Sequence, residues 1–558
     1  MPVPLQQIAF SAFGGGNWAD ERLSLIARSH VLRDGSWKQV APVEAGDLRN
    51  VDFDQRSLIK RLGSAEIDDS SSVHAASESI LGGFAVGGNQ FLVGKKSLYR
   101  KASGGSWARM QASGGGDFSH DSDVTKWTVA FGDGYAFVGT DGTNNEIQVV
   151  DPSSVNLKPE MKNANSYTEQ KGGGSQTITG TWPTAAYIVV WFQNRLCMST
   201  GDSVLEFTDV NEPWDLTGGG FWQFKADLVA AKTFIPRGQN ELLERLFGFT
   251  AAGLQILSGF DASDSPFNME GGGIPVSARC VAASQDWLIY PTEQQTVEAV
   301  NLLRFIDLGR RGRHGDGSTG PLDNFDPSNS NHAALTFAFF DRKQKQWSVW
   351  FPDGASRSTV SMAFAVDMQG GEPGLDEGQN TFENHTRPLW WTIKEPAANA
   401  WFVDLYQNGD TVVGVLASGK TYTYGSGDND LDTLAVESYW DEPDFDGGDP
   451  SRIKNFRRFA PLFDEVGDHN VEVQPYLDLS PNPTGSPVNF SQVNAGTTLW
   501  GQSTWGGGQW GGAGVVQNTS WLELYARTLR LRISNSNTDE PWRLAAATLS
   551  FQQGTQQD

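Results

Sequence analysis

The chain reads as an all-β protein: a degenerate β-propeller of about six to eight blades, followed by a C-terminal β-sandwich. Three observations lead there. Glycine (63 residues), phenylalanine (32) and tryptophan (20) are plentiful while 19% of residues are charged, a mixture of turn formers and aromatics that favours strands. Long stretches with heptad or 3.6-residue periodicity are missing; "ERLSLIARSHVL" (Glu21 to Leu32) and "NELLERLFGF" (Asn240 to Phe249) are modest helical candidates. Between residues 84 and 427, similar modules recur at roughly fifty-residue spacing, near the upper end of the period for four-stranded propeller blades.

Each module has an apolar strand, a turn rich in Gly, Asn or Asp, a second strand, another turn and a third strand. The first is "FAVGGNQFLVGKKSLYRKASGGSWARM" (Phe84 to Met110), and the second "WTVAFGDGYAFVGTDGTNNEIQVVD" (Trp127 to Asp151). In the third, Tyr187 to Trp214, "YIVVWF" and "RLCMS" are β-rich runs joined by Gln193-Asn194, and Gly201-Asp202 turns the chain into "VLEF". The fourth covers Arg245 to Gly259 and the fifth Cys280 to Val300. The sixth is Leu335 to Gly354 with "SMAFAVDM", and the seventh runs from Pro388 to Gly425. Polar, Gly-rich loops separate them. The texture changes after "SYWDEPDFDGGDPSRIKNFRRF" (Ser438 to Phe459), where "VEVQPYLDLS", "WLELYARTLRLRISN" and "RLAAATLSFQQ" read as strands of a sandwich. The expected organisation is an N-terminal segment, 1–83, that adds strands and contacts to the propeller, a propeller body, 84–437, and a sandwich, 438–558.

Charge and motifs exclude several functions. At a formal net charge of −24, a general nucleic-acid binder is excluded, because such binding depends on Lys and Arg neutralising phosphates. The same charge suits a wall past which DNA slides without sticking. The two cysteines, Cys197 and Cys280, sit in apolar runs and read as buried free thiols. The N-terminus lacks the basic and apolar regions of a signal peptide. The longest apolar run, Ala185 to Phe192, is too short to span a bilayer, so synthesis in a cytoplasm is expected.

The seven histidines show no metal-ligand spacing, and neither a nucleophile elbow nor a phosphate loop is found. The acidic runs Glu66 to Ser72, Ser258 to Phe267 and Asp441 to Asp449 match no calcium loop. No enzyme, cofactor or metal is expected.

Two features point to interfaces instead. "LWGQSTWGGGQWGG" (Leu499 to Gly512) spaces Trp500, Trp505 and Trp510 by five, a period of neither helix nor strand. These rings pack either across a sandwich end or at a subunit seam. "RIKNFRRF" places Arg452, Lys454, Arg457 and Arg458 together, and "GRRGRHG" holds Arg310, Arg311 and Arg313. Each is either a local salt-bridge surface or a docking patch for an acidic neighbour.

"VVWFQNRLCMSTGDSVLEFTDVNEPWDL" resembles a pattern in the tail nozzle (hub) proteins of short-tailed phages: a strand, then Asn194-Arg195-Leu196, a glycine turn, Phe207-Thr208, and Pro213-Trp214. The C-terminal order is similar too, with Lys454-x-x-Arg457 after acidic loops, then the Trp–Gly loop, then "LRLRISN". The resemblance covers Phe84 to Phe551. It implies a virion protein with a propeller-like body, made in the host cytoplasm and forming a homohexameric ring beneath the tail adaptor or connector. The ring would contact fibre, spike or plug proteins, and its bore would pass viral DNA without binding it specifically. The family's tubes lead one to expect a long helical element, which this sequence lacks. A glycan-binding or glycan-cleaving propeller acting in host recognition is the alternative, since exposed tryptophans stack on sugars.

Overall fold

A computed structural model of the chain describes residues 6–10, 29–31, 37–39 and most of 47–553. The longer stretches outside the description are 11–28, 40–46, 159–165, 169–174, 236–243, 259–265, 310–328, 353–359, 368–389 and 493–514. Hairpin chemistry sets the first level of order. Gln193 and Asn194 both adopt positive φ (50° and 59°), the mirror-turn geometry whose twist matches two antiparallel strands. They join Ile188–Phe192 to Arg195–Ser199, with Val190 opposite Cys197.

Seven such antiparallel sheets follow one another. Blade one runs from Ile80–Val86 to Trp107–Arg109, blade two from Trp127–Gly132 to Gln148–Val150, and blade three from Ile188–Phe192 to Gly220–Gln223. Blade four spans Leu228–Phe234 to Phe267–Asn268, blade five Ala282–Ala283 to Phe305–Gly309, and blade six Phe337–Asp341 to Trp390–Lys394. Blade seven has Phe402–Asn408, Thr411–Leu416 and Lys420–Tyr424, and its outermost strand is Ser64–Asp69, from before blade one. The protein is therefore a seven-bladed propeller closed by its own N-terminal segment.

The middle strands, such as Tyr135–Thr140 and Gln346–Phe351, are buried on both faces because each sheet packs against two neighbours, and the apolar core divides accordingly. One cluster lies between blades one and two (Phe84, Phe91, Trp127, Val138), and the next between two and three (Tyr135, Phe137, Trp182, Leu196). Further clusters fill the gaps from three to four, four to five, five to six and six to seven. The last, with Ile80, Leu92 and Tyr99 against Tyr406, Val413 and Val415, joins blade seven back to blade one and completes the ring.

The sandwich takes strands from both ends of the chain. One sheet centres on Lys454–Asp464 and Arg543–Gln553, with Gln6–Phe10, Ser57–Lys60 and Val51–Asp54 on one side and Val515–Gln517 and Ser520–Ala526 on the other. The facing sheet holds Ser438–Asp441, Leu529–Asn535, Asn470–Leu477 and Val488–Ser491. Phe456, Phe459, Trp542, Leu544 and Phe551 from the first sheet interdigitate with Trp440, Val473, Leu531 and Ile533 from the second. Asp47–Arg49 pairs with Ser438–Asp441 and, through Ile393 opposite Arg49, with the edge of blade six. Blade six and the second sandwich sheet are thus one nine-stranded sheet.

Several expectations change. Residues Arg245–Thr250 of the second helical candidate form a blade-four strand, and Ser29–Val31 of the first is also a strand. The strand Arg245–Thr250 lies between two blades and is buried almost throughout, so it shows no two-residue alternation. Trp390–Lys394, read as the opening of module seven, is the outer strand of blade six. Segment 1–83 gives strands to blade seven and to the sandwich, pairs Ser29–Val31 with Trp37–Gln39 in a separate hairpin, and begins the inner strand of blade one.

A buried polar joint ties the modules where the N-terminal segment crosses. Arg61 donates to both carboxylate oxygens of Asp430 (2.9 and 2.7 Å) and through Nε to Asn50 Oδ1 (3.0 Å), with the side chains of the ion pair 2% and 1% exposed. Asn50 Nδ2 donates to the carbonyls of Glu395 and Glu437, one in each module. Lys394 pairs with Asp52 (3.4 Å) and donates to Gln346. Lys60 Nζ donates to Asn535 Oδ1 and to the carbonyls of Asn537 and Glu540, while burial lowers its pKa to about 8.

Buried phenols and thiols set the alkaline limit of this fold. Burial first, and then Glu66, pushes Tyr422 up to about 12, and burial pushes Cys280 up to about 12. Burial raises Tyr99, Tyr290, Tyr406 and Cys197 as well. These groups hold their protons more tightly folded than unfolded. Their contribution is complete below the ordinary values of 9 and 10 and is lost as pH rises through the folded ones. Lys60 acts oppositely between about 8 and 10.5, and Lys232 and Lys454, whose values burial also lowers, act in the same sense, three lysines against six phenols and thiols. The melting temperature is expected to hold to about pH 8.5 and to fall steadily above about pH 9.5. Thermal melts at pH 8 and 10.5 check this, and equal values would contradict it.

Candidate interaction surfaces

The propeller's axis is occupied by its own chain. The short turn Ala278–Cys280 precedes the inner strand of blade five, and its Arg279 reaches across. The guanidinium donates to the carbonyls of Leu81 in blade one (3.1 Å) and Val403 in blade seven (3.0 Å) and pairs with Asp404 (3.0 Å). It also lies over the rings of Trp127 in blade two (5.1 Å) and Phe337 in blade six (5.4 Å), where ring faces attract a cation. One arginine thereby bridges five blades. Asp404 accepts from Gly83 N (3.0 Å), and burial raises its pKa against the opposing pull of Arg279. A Cβ at Gly82 would lie 2.4 Å from both Asp404 Oδ2 and the Trp127 ring, so the approach requires glycine.

The second surface is the outer face of the first sandwich sheet. In Ser520–Ala526, Leu522 and Leu524 turn toward the core, leaving Trp521 and Tyr525 outside, each 67% exposed. Arg458 lies opposite Trp521 and Asn455 opposite Tyr525, and the register slips between Phe456 and Arg458. Asn455 Nδ2 donates to Tyr525 Oη (3.0 Å), fixing that ring, and Arg458 Nη2 donates to Thr519 Oγ1 (2.8 Å). Glu523, between the two rings, has φ +46°, a conformation uncommon outside glycine. Ile453, just before the neighbouring strand, is 55% exposed.

The basic run is split by this arrangement. Arg457 and Arg458 are half-buried beside Trp521, and neither forms an ion pair among the described residues. Arg452 pairs with Asp449 (3.0 Å). Lys454 is fully buried, its Nζ donating to the carbonyls of Asp449, Arg452 (2.8 Å) and Arg527 (3.1 Å), so it holds a loop and takes no part in a surface patch. Trp500, Trp505 and Trp510, and Arg310, Arg311 and Arg313, lie outside the described residues.

Sequence reasoning missed a ladder on the opposite sandwich sheet. Arg49 and Arg532 flank Tyr439 (5.8 and 4.3 Å), and Arg532 and Arg530 flank Tyr476 (5.6 and 4.5 Å). Arg532 also grips Asp441 with two hydrogen bonds (2.5 and 2.8 Å), which raises its pKa. The alternation in "LRLRISN" is the signal that could have found it. Also unforeseen was a blade-three loop whose Asp209, Glu212 and Asp215 each offer an oxygen within 4.8 Å of the others. Hydrogen bonds from Thr179 and from the Thr217 and Gly218 amides lower the pKa of Asp215. Both cysteines are buried and free. Among the described residues, no helix is long and apolar enough to cross a membrane.

No protein-family model matches the chain, and no curated protein matches it. Among solved structures it is similar to a computationally designed protein, at 9% identity over 65% of this chain and 99% of that one, with a TM-score of 0.32. A chain of the mitotic checkpoint complex gives 9%, 66%, 94% and 0.37 for the same quantities. A chain of the BBS1N–ARL6DN complex gives 8%, 65%, 97% and 0.34. Likeness at this level says nothing of function.

Proposed function

We propose that the chain is a structural subunit of a viral tail nozzle. Six copies close into a ring in the virion, docked on the tail adaptor and on fibre, spike or plug proteins. DNA crosses the bore without specific binding, and the subunit carries out no catalysis. The observation that most supports this reading is the axis blocked by Arg279. A conduit must then lie between copies, and head-to-tail contacts generate a closed ring when the rotation permits. The nine-stranded sheet gives such a ring a subunit in which propeller and sandwich move together. The net charge of −24 lets a bore lined by this surface repel the DNA backbone.

Negative-stain electron microscopy with class averaging tests the reading, on purified protein and on phage particles that contain it. Six-fold rings, or the protein located at the tail tip, are expected. Isolated single discs together with absence from tail density would overturn it. Glycan recognition is favoured by a single observation, the exposed Trp521 and Tyr525, which lie on the sandwich rather than the propeller.

A further inference from the structure

We infer that the outer face formed by Trp521, Tyr525, Asn455, Arg457 and Arg458 is a binding platform for a linear acidic polysaccharide. The argument begins with shape. Trp521 and Tyr525 stand on one strand, four positions apart, a separation of at most about 13 Å were the chain fully extended, a length that a run of a few successive rings of a sugar polymer covers. The two strands that carry the platform are roughly 5 Å apart and run side by side, from Lys454 opposite Ala526 to Phe459 opposite Ser520, for about 20 Å. Such a strip offers far less than the roughly 800 Å² per partner that a stable protein interface buries. It fits a ribbon better than a globular surface.

Chemistry agrees with shape. Aromatic faces take up the C–H faces of pyranose rings, and the polar groups between them meet hydroxyls. Tyr525 is already held by Asn455, so little rotamer freedom is lost on binding. Arg457 and Arg458, unmatched by carboxylates among the described residues, supply charge complementarity to a uronate-bearing chain. Glu523 stands on the same face between the rings, its carboxylate accepting from Asn455 Nδ2 (3.5 Å), so the strip sets two arginines against one carboxylate, with a reach of about 8 Å at physiological salt. The left-handed φ of Glu523 falls midway between the two rings, and retained strain of this kind gathers at binding sites.

The test is native gel electrophoresis of the full chain through gels containing polygalacturonate or, in parallel, neutral dextran. Polygalacturonate is expected to retard the wild type, and added salt to weaken the effect. W521A/Y525A should weaken retention by at least about tenfold, and R457Q/R458Q should remove the preference for the acidic polymer. All these side chains are exposed or half-buried, and an unchanged melting temperature confirms that each variant is folded. No retardation by polygalacturonate, or equal retardation by dextran, would overturn the proposal. Loss of self-assembly in W521A/Y525A without any polymer effect would also overturn it, making the strip a seam between copies. Ring formation in the microscope is read separately, so failure of the nozzle reading and failure of this one are distinguishable.

Discussion

Arg61→Ala is expected to lower stability by about 3–5 kcal/mol. The guanidinium and the Asp430 carboxylate are both withdrawn from water, and each satisfies the other through two parallel hydrogen bonds. Truncating the arginine leaves a buried carboxylate with the Ala397 amide as a remaining donor and leaves Asn50 Oδ1 without its Nε contact. The penalty is that of an uncompensated charge rather than the net worth of the pair. A paired replacement, Arg61→Met with Asp430→Leu, should recover most of the loss, because two apolar groups of similar volume carry no desolvation cost. Urea titration followed by tryptophan fluorescence measures both. A shift in the single variant below about 0.5 kcal/mol, the size of an ordinary surface substitution, would show that the joint is wet and yielding.

Gly63→Ala should be comparably damaging, for a steric reason. A Cβ there would sit 1.9 Å from the Asn429 carbonyl oxygen and 2.3 Å from its carbon. These are backbone atoms, and they cannot rotate away. Gly63 N also donates to Gly427 O (2.8 Å), and Gly63 O accepts from the amides of Gly425 and Ser426. The added methyl therefore pries apart the crossing that holds Ser64–Asp69 against Lys420–Tyr424. Overpacking costs about 1–3 kcal/mol or more, and here it comes with lost hydrogen bonds. Limited proteolysis reads the outcome, with cleavage near residues 62–70 expected in the variant and not in the wild type. Unchanged resistance would contradict it.

The propeller was legible because its turns are chemically marked. Gln193-Asn194 and Gly201-Asp202 stand between β-rich runs, and turn residues of that kind have few other uses. What stayed hidden was assignment between modules. "WWTIK" carries no label saying that it ends blade six, and nothing near Ser64–Asp69 points to a partner at Lys420–Tyr424. "NELLERLFGF" deceived because Leu242, Leu243 and Leu246 satisfy a helical spacing, whereas the strand buries both faces. The basic run was located, yet the register slip between Phe456 and Arg458 decides which of its side chains face water, and such slips are set by the partner strands. "WLELYA" was more informative than its reading allowed. Its alternation puts Trp521, Glu523 and Tyr525 on one face and the two leucines on the other.

The closing strands also dictate when this protein finishes folding. Ser70 bonds to Gly419, 349 positions later, and Gln6–Phe10 pairs with Phe551 to Ala547. A ribosome delivers these partners far apart in time, and closing so long a loop carries an entropic cost before any contact rewards it. Blades one to six can pack one on the next as they emerge. Blade seven must wait for synthesis to pass Tyr424, and the sandwich for synthesis to pass Gln553. Nascent chains therefore carry open strand edges, which invite aggregation. Maturation is expected to be slow, as high contact order requires, and chaperone demand should peak just after release.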